Sequence, residues 1–543
     1  MGSSLSLSKR SRRRMEPLPI ETLFKLPSPI PSWPPGGGFA KGTMDLGGLE
    51  VTQATTFTKV WSALEGGPDN LGATFFRPST PDGFSLLGYY CQPNNKSFSG
   101  WALVARAIEN GALAPPTDYT LVWSSQNPSK TIKQDGTGYV WLPLPPEGYN
   151  SVGYVVTGSP DKPSFDEVRC VRSDFTEQSE NESSVWATDG FNVYNTRPVT
   201  RGTQATGVPV GTFSAITPPT VVSLKNKAFN SYSCMPNMPQ IQALMKAYAP
   251  WIYFHPDERY FPSSVNWYFK NGARLHQKDS GNAVPIDPDG SNLPQGGSND
   301  GLYWLDLDGK AREAAIKGDL GSAESYLHVK PMLGGAFTDV AVWVFYPFNG
   351  PARAKVGPIN VGLGRIGEHV GDWEHVTLRV SNLNGELRRV YYSEHSAGSW
   401  VEASDAEFKG EGNNVAAYAS QNGHAFYPKA GLVLQGPSGG VVGIRNDAAR
   451  GKYGMDTGER FSVVAAEHLG EVVVAPGWLD YRREWGPKID YDVDKEVGKV
   501  VRFLPGKVRE KVEKLVKGLP SEVLGEEGPT GPKMKRNWDG DEI

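Results

Sequence analysis

Cysteine is scarce. Cys91, Cys170 and Cys234 are the three in 543 residues, odd in number and widely spaced. That excludes a disulfide framework and a thiolate zinc site, and it points to a reducing compartment. No run of 18 or more apolar residues occurs, so a membrane-crossing helix is not expected. The N-terminus lacks the apolar segment of a secretory signal, which leaves the sequons at Asn95 and Asn181 without a route to glycosylation. Excess charge of one sign is also missing. The 55 basic and 59 acidic residues leave a net charge of −4, so no nucleic-acid partner is expected. There is no P-loop, no dinucleotide fingerprint and no Ser–His–Asp pattern.

Turn-formers and large aromatics are plentiful. Gly 63, Pro 43 and Trp 15 suit short strands joined by turns, in a chain long enough for two or three domains. The first residues, MGSSLSLSKRSRRR, place Gly2 and Ser6 in the pattern read for N-myristoylation. Lys9, Arg10, Arg12, Arg13 and Arg14 follow directly. One acyl chain binds a bilayer only marginally, and a polybasic patch is the usual second signal. Residues 1–37 are therefore expected to be a leader that holds a cytoplasmic protein peripherally on membranes; a plain basic leader is the alternative.

Residues 38–220 repeat themselves. Trp61, Trp123 and Trp186 recur every 62 or 63 residues, and Pro78, Pro81, Gly83, Gly88 and Tyr89 return 65 later as Pro143, Pro146, Gly148, Gly153 and Tyr154. A unit of three or four short strands cannot bury its own apolar face, whereas three units around an axis share a core. A threefold, three-sheet β-prism is expected, with a plain sandwich as the alternative. Residues 221–240 read as a linker. Residues 241–490 read as an antiparallel β-sandwich with strands in DVAVWVFYPF, DWEHVTLRV, LRRVYYSEH and FSVVAA. Residues 491–543 read as two helices, the second opened by Pro505, and a tail that is either disordered or a strap over another surface.

The sandwich carries the chemistry. In GEHVGDWEHVTLRV, Asp372 and Glu374 are two apart and point to one side of a strand that continues through Val376, Leu378 and Val380. Buried carboxylates need a metal ion, an arginine such as Arg365 or Arg379, or an open rim. His375 falls on the opposite side and is expected to be structural, as is the turn residue His255; His276, His328 and His468 receive no role.

PSWPPGGGFAKG, LGYYCQPNN, DWEHVTLRV, SEHSAGSW, NGHAFYP and GEEGPTGPK together resemble the plant proteins of the vacuolar protein sorting-associated 62 family, over nearly the whole chain. The resemblance implies a link to vacuolar sorting and carries no activity. The centre of the second domain also resembles the necrosis- and ethylene-inducing peptide-like proteins, whose GHRHDWE heptapeptide binds a divalent cation. Carried over residue by residue, that resemblance implies His369, Asp372 and Glu374 as ligands, with Asn349 in place of the family's upstream Asp. It also matches His395 and the pair Asn422 and His424. Gly371 stands where the heptapeptide has its second His, and no cysteine pair is evident, so cytolysis does not carry over. Such oxygen-rich donors suit Mg²⁺, Mn²⁺ or Ca²⁺. The expected function is a membrane-associated adaptor in vacuolar sorting that recognises a lipid or sugar headgroup or a sorting partner. A metal-dependent hydrolase and a scaffold with a structural acidic site are the alternatives.

Overall fold

The computed structural model describes residues 22–542 apart from 127–131, 189, 216–219, 308, 396, 439–441, 490, 503 and 520–523. With 38% strand and 14% helix the chain is mainly β, as expected, in sheets that are largely antiparallel.

Where three sheets were expected, the described residues of the first half form six small ones, two from each repeat. The hairpins Phe57–Ala63/Ala73–Pro78, Asp118–Ser124/Tyr139–Leu144 and Ser179–Thr188/Phe191–Pro198 surround one core. At its centre the three repeat tryptophans meet, with ring centroids 5.4 Å (Trp61–Trp123), 5.5 Å (Trp61–Trp186) and 5.4 Å (Trp123–Trp186) apart. The recurring glycines have an equally direct cause. A Cβ on Gly88 would lie 2.6 Å from the Cα of Gly153, so the strands approach too closely there for any side chain. The other three sheets pack against the second half, sharing a core in which Leu49, Val171 and Leu224 join Met332, Phe337 and Leu383.

Residues 221–240 are more than a linker, since Ser223–Lys225 pairs back onto Thr176–Glu177 and Gly207–Val208. The helix Met238–Tyr248 follows, started by a reciprocal capping box between Asn237 and Gln240.

The second half is organised by a six-stranded sheet in the order Ala397–Glu402, Leu387–Glu394, His369–Ser381, Phe337–Asn349, Ser325–Met332, Phe461–Ala465. All pairs are antiparallel but the last. Phe461–Ala465 runs parallel to Ser325–Met332, because it arrives after a long excursion and not through a hairpin. Both faces of this sheet are covered. One meets the helix Met238–Tyr248 and a small sheet containing Trp251–Tyr253 and Ala416–Ala419. The other meets the helix Val265–Lys270 and the tryptophans Trp478, Trp485 and Trp538. Double burial explains why Phe337–Asn349 is buried at every position.

Two helices, Val493–Val501 and Gly506–Lys517, follow, with Pro505 at the N-cap of the second. The last residues form a strap. Trp538 is buried on His328 at 3.9 Å between centroids. Asp541 accepts from Arg379 at 2.6 Å, and Glu542 lies 3.4 Å from Lys330 and 3.3 Å from His375. Burial raises the Glu542 carboxyl, but the charges of Lys330 and His375 outweigh it and hold the group well below the usual carboxylate range. Thus His375 is buried as well as structural, and His328 and Arg379 work in the strap's seat.

Candidate functional site

Strand pairing assembles the site. The register sets Asn349 opposite His369, Tyr346 opposite Asp372 and Val344 opposite Glu374. The glycine-rich connection between these strands is itself a hairpin, Arg353–Val356 with Ile359–Gly362, seated on Val442–Ala448. Gly371, at φ 71°, bends the motif strand where a Cβ would strike the carbonyl oxygen of Trp485 at 2.4 Å. Two loops close over the sheet end, each carried by non-glycine residues in the left-handed region: His395 (φ 60°), Asn422 (φ 70°) and His424 (φ 57°). Backbone of this kind costs about 1–3 kcal/mol per residue and concentrates at functional sites.

Neither buried acid is held by arginine. Arg365 pairs with Glu368, and Arg379 with Asp339 and Asp541. Asp372 instead faces His424, whose Nδ1 lies 3.0 Å from Oδ2. The imidazole is fully buried, stacked on Tyr346 at 3.8 Å, and its Nε2 lies 3.0 Å from the carbonyl of Tyr260. Burial pushes the Asp372 carboxyl up, but the bond to His424 and the nearby His369 more than reverse it, and the net shift is downward. Glu374 goes the other way. Burial and the Asp372 charge push it well above the usual range, although the Ser393 hydroxyl donates to it.

The remaining candidates are poised but not converged. His369 Nδ1 lies 2.9 Å from the carbonyl of Gly371, which fixes the proton there and leaves Nε2 with its lone pair. The Asn349 amide donates to the Gly367 carbonyl at 2.7 Å, which turns Oδ1 the other way. His395 lies 3.9 Å from Glu374 and 3.3 Å from Asn446 Oδ1. A Cβ placed on Gly423 would be 3.4 Å from His395 Cε1 and 4.0 Å from Asn349 Oδ1, so these two share one small space. Among the described residues, no three His, Cys, Asp or Glu side chains are gathered closely enough to hold a metal ion. The donors fit a hard cation in kind: carboxylate, amide oxygen and a correctly tautomerised imidazole.

Four buried polar atoms around this space have no hydrogen-bond partner: Tyr346 OH, Tyr427 OH, Ser420 Oγ and Asn446 Nδ2. Buried polar groups are nearly always paired, so this cluster is an exception that a water, an ion or a ligand would resolve. Nothing in local spacing or motif points to these four or to Ser393, and His424 is singled out only through resemblance. Gly2 and the basic residues Lys9, Arg10, Arg12, Arg13 and Arg14 lie outside the described residues.

A family model described as vacuolar protein sorting-associated protein 62 matches residues 20–542. Vacuolar protein sorting-associated protein 62 of Saccharomyces cerevisiae is 25% identical over 287 residues. The match covers 44% of this chain and 58% of the yeast protein, less than two thirds of that relative's length. Two solved structures are similar over smaller parts. GNIP1Aa from Chromobacterium piscinae is 18% identical with a TM-score of 0.28, covering 37% of this chain and 40% of that one. Necrosis and Ethylene inducing Protein 2, from the causal agent of cocoa's Witches Broom disease, is 13% identical with a TM-score of 0.20, covering 34% and 67%.

Proposed function

From the premise that the chain belongs to the vacuolar protein sorting-associated protein 62 family, we propose that it serves vacuolar sorting as a binding protein held peripherally on a membrane. Its pocket at the end of the six-stranded sheet takes a divalent cation, Mg²⁺, Mn²⁺ or Ca²⁺, and through it a polar headgroup or partner group. The observation that carries this reading is the pair of buried acids, Asp372 and Glu374, that no arginine holds, with the unpaired hydroxyls of Tyr346 and Ser420 beside them. His369 Nε2, Asn349 Oδ1 and oxygens of Asp372 and Glu374 would hold the ion, with His395 at the edge. When bound, the ion supplies positive charge beside the Asp372–His424 pair and favours the ionised form of Glu374, which burial and Asp372 otherwise disfavour. The left-handed loops carrying His395 and His424 define the pocket's mouth, and the Asp372–His424 bond keeps one acid oriented. The basic leader and an acyl group on Gly2 supply the attachment.

Vesicle flotation of the N-myristoylated full chain on phosphatidylcholine–phosphatidylserine vesicles tests this. The wild type floats; Gly2→Ala reduces flotation about tenfold, because the basic cluster alone is the weaker half of a two-signal anchor. Chelation and Asp372→Asn each reduce it further. Equal flotation of wild type and Gly2→Ala removes the tether, and indifference to both chelator and Asp372→Asn removes the pocket from the reading.

A further inference from the structure

Away from that pocket, a cavity of about 310 Å³ lies where the two halves of the chain meet. That volume is within the range of small-molecule sites. The first and third repeats give it hydroxyl and amide walls, among them Tyr90, Ser99, Ser183 and Asn195, while the six-stranded sheet contributes Arg379, Arg388 and Arg389. The C-terminal strap adds Asp541.

The charges on the wall are unevenly spent. Lys96, Arg197, Arg379, Arg388 and Arg389 face Glu182, Glu402 and Asp541. Arg379 is fully engaged by Asp339 and Asp541, at 2.7 and 2.6 Å. Arg197 is held by Glu180 at 2.9 Å, and Arg389 by Glu182 at 3.0 Å and Glu402 at 3.1 Å. Arg388 is different. Its side chain is 10% exposed and its carboxylate contact, Glu386, is 3.4 Å away, while one Nη donates to the Ser99 carbonyl at 3.1 Å. A five-donor fork so placed keeps capacity for a planar or tetrahedral oxyanion. Lys96 stands exposed at the rim.

We propose that this junction cavity binds a phosphorylated polyol, with the phosphate between Arg388 and Lys96 and the hydroxyls on the polar walls. A phosphate carries close to two negative charges at neutral pH, which matches two cations with spare capacity. Hydroxyls both donate and accept, which suits a wall of tyrosine and serine hydroxyls and an asparagine amide. Because the walls come from both halves, an occupant ties them to one another and raises the stability of the whole chain by mass action.

The chemistry is shared by a soluble polyol phosphate and by a phosphoinositide headgroup, and two arms separate them. The full chain is titrated calorimetrically with soluble inositol 1,4-bisphosphate and with inorganic phosphate. It is also floated on phosphatidylcholine vesicles with and without phosphatidylinositol 4-phosphate. Lys96→Ala and Arg388→Gln are run beside the wild type, after thermal unfolding shows that both fold. The basic leader is common to all three proteins, so attachment through it cancels between them. The expected result is saturable binding of the bisphosphate, tighter than inorganic phosphate, that raises the melting temperature and weakens about fivefold in each variant, the loss of one net hydrogen bond. Binding in the soluble arm alone assigns a free metabolite; variant-sensitive binding in both arms assigns a lipid headgroup. No saturable binding in either arm overturns the proposal, as does equal binding by wild type and variants, or inorganic phosphate binding as tightly as the bisphosphate.

Discussion

His424 shows why the sequence could pose the chemical question without answering it. Two acids directed into a buried strand are visible in DWE, because alternation along a strand is a local rule. The group that balances one of them is on a distant loop, and its bond to Asp372 exists only after the fold has formed. Replacing His424 by Ala leaves that carboxylate buried and unpaired, and should cost about 3–5 kcal/mol of stability. Urea unfolding checks it; a loss under 1 kcal/mol would mean that water reaches Asp372 freely.

A second histidine gives a pH signature. His468 donates through Nε2 to the Pro236 carbonyl at 2.9 Å, while its buried Nδ1 has no partner. Burial lowers its affinity for a second proton, more than the Pro236 carbonyl and Glu467 raise it. The unfolded chain therefore takes up that proton first as pH falls through about 6.5, and the folded state loses stability relative to it. The wild type should lose more stability than His468→Gln between pH 7.5 and 5.5 in thermal unfolding. Parallel curves for the two proteins would contradict this.

Among the elements, the C-terminal strap is the clearest case of a feature hidden from local reading. GPTGPKMKRNWDGDEI has too little apolar content to pack on itself, so disorder and a strap were equally open. The deciding residues, Lys330 and Arg379, lie far upstream in the six-stranded sheet. By contrast, the two terminal helices were legible from spacing and Pro505 because helical periodicity is local. Glu542→Ala leaves Lys330, whose side chain is 1% exposed, without its carboxylate, and should lower stability by about 3–5 kcal/mol. A change within 0.5 kcal/mol in urea unfolding would show that the strap rests on the sheet without securing it.

At the scale of the whole molecule, the repeat was legible because tryptophan and glycine spacings record how often the chain returns to a shared core. They do not record how a unit divides its strands, which is why six sheets stand where three were expected. Nor could spacing reveal how the halves interlock. Trp33, near the start, donates to Asn384 at 3.0 Å, while Asp539, near the end, accepts from Thr203 at 3.1 Å. These two bonds tie residues of one half of the chain to residues of the other.

The measurement that bears most directly on the central claim is calorimetric titration of the full chain with Mg²⁺, Mn²⁺ and Ca²⁺, beside Asp372→Asn and Glu374→Gln. The account predicts one saturable site for at least one of these ions in the wild type, lost in both variants while they remain folded. No saturable binding of any of the three ions, or binding that both variants keep, would contradict it.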